Sequence, residues 1–214
     1  MVKIFDFNNG SELSSNTYVI GKINESCIII DLGSQDKKIY EYVSSHYIKC
    51  LGILLTHGHF DHIRGIPSFL KSLKYNIPVY IHHDDVQLLN NPVLNSSTLS
   101  GHQVKINIPV NEVSDNQIIT LDKYSIKVIH TPYHTKGSVC YLFEEENALF
   151  TGDTLFNESI GRDDLMASKP SLKSDSLKKL VSLNEMLVIY PGHGEITNLK
   201  NEKQNNPYLK EFIK

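Results

Sequence analysis

The chain has 214 residues, of which 40% are hydrophobic and 21% are charged, and its formal net charge is −3. This length fits one domain, and the globular composition excludes wholesale disorder. The small negative charge excludes a general binder of nucleic acids or other polyanions.

Short apolar segments alternate with amphipathic ones along the chain. Segments bounded by turn-prone Asn, Gly and Ser predict strands at Val2–Phe5, Thr17–Ile20, Cys27–Ile30, Ile53–Thr56, Val79–His82, Gln117–Leu121, Ser125–Ile129, Ser138–Phe143, Ala148–Thr151 and Leu187–Tyr190. Helices are expected at Asp36–Val43, at Ile66–Leu73, from Asp84 or Asp85 to about Leu89, and at Ser174–Leu183, and a long surface loop at Asn90–Gln103. Strand groups separated by helices predict one mixed sheet, or two sheets, covered by helices.

The sequence predicts a cytosolic protein without a membrane segment. Apolar runs such as Cys27–Ile30 are far too short to span a bilayer, and Asp6 interrupts the N-terminus before a signal-peptide core can form. The cysteines Cys27, Cys50 and Cys140 are scattered along the chain, so we expect reduced thiols in the core rather than a disulfide framework or a redox site.

The strongest chemical signal is an H-x-H-x-D-H motif that follows the predicted strand Ile53–Thr56. It consists of His57, His59, Asp61 and His62. Imidazole and carboxylate are ligands that suit zinc, iron or manganese. Four such side chains at one strand end can converge on one point, and Gly58 is expected to allow a backbone conformation that other residues resist.

Three further candidate ligands follow other predicted strands. His134 lies between Thr131 and Ser138, Asp153 follows Thr151-Gly152, and His193 lies in Pro191-Gly192-His193-Gly194. Each occupies a turn marked by Gly or Pro just after an apolar run, where function is commonly carried on a rigid scaffold. Together the five histidines and two aspartates can give three ligands to each of two metal ions, with the seventh as a bridge.

These motifs resemble those of metallo-β-lactamase-fold hydrolases, and specifically the small glyoxalase II-like (hydroxyacylglutathione hydrolase-like) branch. The resemblance runs from Asp31-Leu32-Gly33 to Asn206-Pro207-Tyr208-Leu209 and includes Gly152–Phe156 and Ile160-Gly161-Arg162. It implies an α+β fold, an αββα sandwich of two mixed sheets flanked by helices. We expect residues 1–214 to form one such domain, without the C-terminal helical region of full-length glyoxalase II.

The resemblance also assigns roles to the candidate ligands. It places His57, His59 and His134 on a first metal, Asp61, His62 and His193 on a second, and Asp153 between them. It implies two divalent metal ions, Zn²⁺ by preference, with Fe or Mn as alternatives. A hydroxide that bridges the two metals would attack a thioester, and Asp61 would orient that nucleophile as the catalytic residue.

Substrate contacts are predicted from the same resemblance. Arg162 matches a basic residue that holds the glutathione carboxylate in glyoxalase II enzymes, although Asp164 stands where those enzymes have an aromatic partner. Tyr133 and Lys136 are expected to line the pocket. Asp31, at the end of an apolar strand, is expected to support a ligand imidazole from behind.

The expected substrate is a small molecule, S-lactoylglutathione or a related acyl thiol, with no nucleic acid or membrane partner. Three alternatives stay open: a lactonase, another ester hydrolase on the same metals, or a non-catalytic metal-stabilised binding module. The cluster His82-His83-Asp84-Asp85 and the nearby His130 are interpreted as structural. The sequence does not decide the oligomeric state, the native metal or the thiol carrier.

Overall fold

The fold consists of two six-stranded sheets, seen in a computed structural model that describes residues 2–5 and 15–213. The first sheet contains β1 to β6 in chain order. Its strands are β1 (Val2–Phe5), β2 (Thr17–Gly21), β3 (Ser26–Ile30), β4 (Lys49–Leu54), β5 (Val79–His82) and β6 (Asn111–Val113). β2 is antiparallel to both of its neighbours, β1 and β3, and the neighbouring strands from β3 to β6 are parallel.

The second sheet contains β7 to β12, again in chain order. Its strands are β7 (Ile118–Leu121), β8 (Tyr124–His130), β9 (Val139–Phe143), β10 (Ala148–Gly152), β11 (Val188–Pro191) and β12 (Thr197–Asn198). All neighbours are antiparallel except β10 and β11, which run parallel. Both sheets are therefore mixed.

In the part of the chain that the structure describes, five α-helices and several 3-10 helices connect the strands. The α-helices are α1 (Lys37–His46), α2 (Phe60–Ile63), α3 (Ile66–Ser72), α4 (Lys173–Val181) and α5 (Leu199–Asn205). The 3-10 segments are His83–Asn90, Ser97–Ser100, Pro170–Leu172 and Lys210–Phe212. Asp36 begins α1 as its N-cap, because its carboxylate accepts the backbone N–H of Lys38.

Three apolar layers hold these elements together. The central layer packs the inner faces of the two sheets against each other, with Tyr18 of β2 in edge contact with Phe150 of β10. The first sheet buries its other face against α1 and α3, and the second against α4 and α5. The period-two alternation of β2 and β3 explains this, since adjacent residues enter opposite layers. The predicted αββα sandwich is confirmed.

Most predicted strands and helices are present, but several boundaries differ. The strand predicted at Ile53–Thr56 begins earlier, because Cys50 already pairs with Cys27 on β3. The helix predicted from Asp84 or Asp85 is a 3-10 helix that begins at His83, and its N-cap is the His82 ring rather than either aspartate.

The helix predicted at Ser174–Leu183 begins one residue earlier. Helix α4 begins at Lys173, directly after the 3-10 turn Pro170–Leu172, so Ser174 and Asp175 lie inside the helix and neither caps it. The expected surface loop Asn90–Gln103 contains the 3-10 helix Ser97–Ser100 and has buried polar residues.

The three cysteines are free and buried, as predicted. Cys27 and Cys50 belong to the first sheet, and Cys140 to the second. Within the described residues, every helix is too short or too polar to cross a bilayer.

Candidate metal centre

The candidate ligands lie at one edge of the sandwich, where strands of both sheets end. The first loop follows β4 and carries His57 and His59, and α2 continues it with Asp61 and His62. The second sheet supplies the remaining three from the loops after β8, β10 and β11: His134, Asp153 and His193. The seven candidate side chains are therefore brought together from both sheets.

His57, His59 and His134 form one group whose ligand atoms lie within 4.8 Å of one another. His57 Nε2 lies 3.1 Å from His59 Nδ1, which lies 2.8 Å from His134 Nε2. Nitrogens bound to one Zn²⁺ at about 2.0–2.1 Å would be separated by about 2.9–3.4 Å at octahedral to tetrahedral angles. The three rings are mutually near-perpendicular, at 82° to 89°. This is the geometry of three ligands that surround one ion.

Asp61, His62 and His193 form a second group of the same kind. His193 Nε2 lies 3.1 Å from Asp61 Oδ2 and 3.4 Å from His62 Nε2. Asp153 stands between the groups, because one carboxylate oxygen is 3.3 Å from His62 Nε2 and the other is 3.4 Å from His134 Nε2. Asp153 therefore lies within reach of ligand atoms of both groups.

The electrostatics differ between the two groups. Burial lowers the pKa of His59 to about 3, with a further contribution from His134, and burial holds the pKa of His57 well below its usual value. Burial opposes charge on His62 as well, but Asp61, Asp31 and Asp153 raise its pKa well above normal. Burial thus favours the neutral imidazole in the first group, whereas the neighbouring carboxylates favour the protonated form of His62 in the second.

Two buried polar atoms in the centre accept or donate no hydrogen bond: His59 Nε2 and Asp153 Oδ1. Buried polar atoms without a partner are costly, and a bound cation would satisfy a carboxylate oxygen. The donor set, its spacing and the unpartnered carboxylate oxygen fit divalent metal ions.

Backbone and side-chain groups contact the ligand rings on the side away from the centre. His134 donates its Nδ1–H to the Arg162 carbonyl at 2.7 Å, which directs Nε2 into the centre. Asp31 Oδ2 lies 2.8 Å from Nδ1 of His62, on the side of the ring away from Nε2.

A buried aspartate that the sequence prediction treated as structural connects two of the ligand loops. Asp85 accepts the backbone N–H groups of Gly58 and Gly137 and the hydroxyl of Thr135, at 2.7 to 2.9 Å. It therefore ties the loop of His57 to the loop of His134. Burial raises the pKa of Asp85 to about 6, although these hydrogen bonds oppose the increase.

Glycines permit the close packing around the centre. A Cβ on Gly192 would lie 2.2 Å from Asp153 Oδ1 and 2.8 Å from the His62 ring. Gly58 was expected to supply an unusual backbone conformation, but it does not have a positive φ. A side chain is excluded there instead because a Cβ would lie 2.6 Å from that of Leu88.

A cavity of about 350 Å³ opens above the centre, and Arg162 lines it. Tyr133 does not line it: the ring is fully buried in the layer beneath α4 and α5, and its hydroxyl donates to the Thr154 carbonyl. Lys136 is exposed and also lies outside the lining. The prediction that Tyr133 and Lys136 contact substrate is therefore not supported by their positions.

Residues 10–193 match the sequence profile of the family described as "Metallo-beta-lactamase superfamily". The chain is 31% identical to "Probable metallo-hydrolase YqgX" of Bacillus subtilis (strain 168), with 94% of each chain covered. It is 28% identical to "Hydroxyacylglutathione hydrolase GloC" of Haemophilus influenzae, with 91% of this chain and 92% of the relative covered.

Two solved structures are also similar to this chain over nearly its whole length. The chain is similar to the crystal structure of BLEG-1, described as a B3 metallo-β-lactamase, with a TM-score of 0.89, 32% identity and coverage of 98% and 99% of the two chains. It is also similar to TTHA1623 in a di-iron-bound form, with a TM-score of 0.81, 32% identity and coverage of 93% and 97%.

Proposed function

The chain belongs to the metallo-β-lactamase superfamily, and from that membership we propose that it is a metal-dependent hydrolase of small acyl thioesters, of the glyoxalase II-like type. The observation that carries the proposal is the pair of ligand groups joined by Asp153 at the floor of an open cavity. The similarity to GloC supports a thioester as the bond that is cleaved.

His57, His59 and His134 would hold one divalent ion, Asp61, His62 and His193 a second, and Asp153 would contact both. Two such ions supply a water of lowered pKa and polarise the acyl carbonyl. Zn²⁺ fits these ligands, and so do iron and manganese; the di-iron form of TTHA1623 keeps iron among the candidates.

The protein's own groups position the reactants. Asp61 lines the cavity, so this carboxylate can accept a hydrogen bond from an attacking water and orient it. A thiolate leaves without strong help from a general acid. The cavity walls include Phe60, Phe156 and Leu165, which offer apolar contact to the acyl group of a bound substrate.

Steady-state hydrolysis of S-D-lactoylglutathione by Zn²⁺-loaded protein tests the proposal. We expect kcat/KM of about 10⁴–10⁸ M⁻¹s⁻¹, and a loss of at least about 100-fold in kcat for Asp61→Ala. Asp163→Ala, an acid outside the cavity lining, is the matched control. Near-normal turnover by Asp61→Ala with full metal content would contradict the role of Asp61.

Other substrates separate the alternatives. A low rate with lactoylglutathione that is still abolished in Asp61→Ala would indicate a working hydrolytic site with a different natural substrate. Other thioesters and lactones would then be assayed. Similarity to a B3 metallo-β-lactamase favours a β-lactam as the second candidate substrate, which a cephalosporin assay tests directly. Fewer than about one metal per chain at saturation, where two are expected, would favour a non-catalytic binding module.

A further inference from the structure

Apolar side chains form part of the lining of the cavity above the metal centre. Its walls include Phe60, Leu99, Phe156 and Leu165, which come from separate segments of the chain. Leu99, on the 3-10 helix Ser97–Ser100, is 76% exposed. Apolar side chains that line a cavity favour the binding of an apolar group.

Arg162 is the single lysine or arginine among the residues that line this cavity in the described part of the chain. Its guanidinium is already engaged, because Nε donates to Asp164 Oδ1 at 2.6 Å and Nη2 donates to Asp164 Oδ2 at 2.9 Å. This two-bond arrangement is the one in which arginine binds a substrate carboxylate. Asp164 therefore occupies the place of such a carboxylate and cancels the charge of Arg162.

The neighbouring acid provides a contrast. Asp163 pairs with Lys173 at 2.6 Å, and neither of these residues lines the cavity. Asp163 and Asp164 thus carry the same charge at adjacent positions, but only Asp164 is bonded to a residue of the cavity wall.

We propose that this cavity selects uncharged, apolar acyl thioesters over those on an anionic thiol carrier, and that Asp164 determines the selection by neutralising Arg162. This inference rests on the proposed thioesterase function. A carboxylate that reaches the cavity mouth must either displace Asp164 from the guanidinium or lie beside a second negative charge. An uncharged group meets neither cost and gains apolar contact with Leu99 and Leu165.

Kinetics with two substrates test the selection. The same hexanoyl group is presented on neutral N-acetylcysteamine and on glutathione, which carries two carboxylates. We expect the wild type to have the higher kcat/KM for the neutral thioester. Asp164→Asn is expected to raise the glutathione-to-neutral ratio of kcat/KM by about fivefold, chiefly through KM, which is the size of effect expected for one exposed charge pair.

The controls separate a local effect from a general change in charge. Asp163→Asn removes the same charge one residue away and should keep the wild-type ratio. Asp164 is 65% exposed in its side chain, so Asp164→Asn is expected to fold. The proposal is overturned if the wild type prefers the glutathione thioester, or if Asp164→Asn and Asp163→Asn change the ratio equally.

Binding separates this inference from the proposed function. The affinities of S-hexyl-N-acetylcysteamine and S-hexylglutathione, which have no cleavable thioester, are measured by calorimetry on wild type and Asp164→Asn. The same selectivity and the same shift in ratio are expected. If neither thioester is hydrolysed but the affinity ratio changes as expected in Asp164→Asn, the proposed thioesterase activity is contradicted and the charge selection is supported. If both thioesters are hydrolysed but Asp164→Asn leaves the ratios unchanged, only the charge selection is contradicted.

Discussion

Asp31 Oδ2 lies 2.8 Å from Nδ1 of His62, and both side chains are almost fully buried. The Asp31 carboxylate also accepts the backbone N–H and the hydroxyl of Thr56, at 2.8 and 2.7 Å. Asp31 has a φ of +53°, a left-handed conformation that is uncommon outside glycine. This backbone conformation places the carboxylate against Nδ1 of His62, which directs Nε2 of His62 toward Asp61 and Asp153.

Asp31→Asn should weaken metal binding by about 10- to 100-fold, because loss of the carboxylate lowers the basicity of the His62 ring and releases its orientation. The measurement is a competition titration against a chromophoric chelator, with the two binding steps resolved. Asp175→Asn, whose side chain is 77% exposed on α4, is the control. Equal affinities for Asp31→Asn and the wild type would contradict the supporting role of Asp31.

Asp85→Asn should destabilise the fold by about 1–3 kcal/mol, because one amide oxygen cannot replace both carboxylate oxygens and a backbone N–H is left buried without an acceptor. Urea unfolding of metal-free protein measures the change at pH 8, where Asp85 is ionised. Asp84→Asn, at a neighbouring position that is 46% exposed, should stay within about 0.5 kcal/mol of the wild type. A similar cost for both variants would be inconsistent with a specific tie between the ligand loops.

His82 should make the fold less stable as the pH falls. Its ring is 2% exposed and stacks on His130 at 3.9 Å between centroids. Burial, together with the nearby His130 and His83, lowers the pKa of His82 to about 4, against the opposing effect of Asp84. Between pH 6.5 and 4 the unfolded chain binds a proton that the folded chain does not, so stability is present above pH 6.5 and is lost below it.

His82→Gln should flatten this dependence by at most about 3 kcal/mol between pH 7 and pH 4. Urea unfolding of the metal-free wild type and variant at pH 7, 5.5 and 4.5 provides the comparison. The difference between the two proteins is expected to shrink steadily on acidification. A difference that is constant with pH would mean that His82 contributes packing alone.

Metal removal should lower the thermal stability, because Asp153 Oδ1 is buried without a hydrogen-bond partner. A metal present at about 1,000 times its Kd adds about 4 kcal/mol to the free energy of unfolding, which corresponds to a rise in Tm of about 8–16 °C for a chain of this length. Calorimetry before and after chelation, with metal content measured on the same samples, checks this. Asp153→Asn should lose most of the shift, and an unchanged Tm in metal-free wild type would count against the site.

The candidate ligands were predictable because each follows an apolar strand in a turn with its own composition. Histidine and aspartate at such positions are conspicuous against the surrounding apolar residues. Asp85 was not recognised as a tie between loops, since its partners Gly58 and Gly137 are distant in the chain and give no pattern around it. Tyr133 was misplaced because proximity to His134 in sequence does not determine on which side of the loop a ring lies.

The strands were predictable where apolar residues dominate, as in β3 and β9. The short edge strands β6 and β12 were missed, because Asn111, Glu112 and Asn198 are exposed and carry no apolar alternation. Their pairing depends on β5 and β11 as neighbours, which local sequence does not reveal.

The first sheet and its following loop supply His57 to His62, and the second supplies His134, Asp153 and His193. Neither half of the chain therefore carries a complete pair of ligand groups. During refolding, the full centre can form only after the two sheets have docked. The rate at which a spectroscopically visible ion such as Co²⁺ is bound would then report the rate of that docking step, separately from the rate of secondary-structure formation.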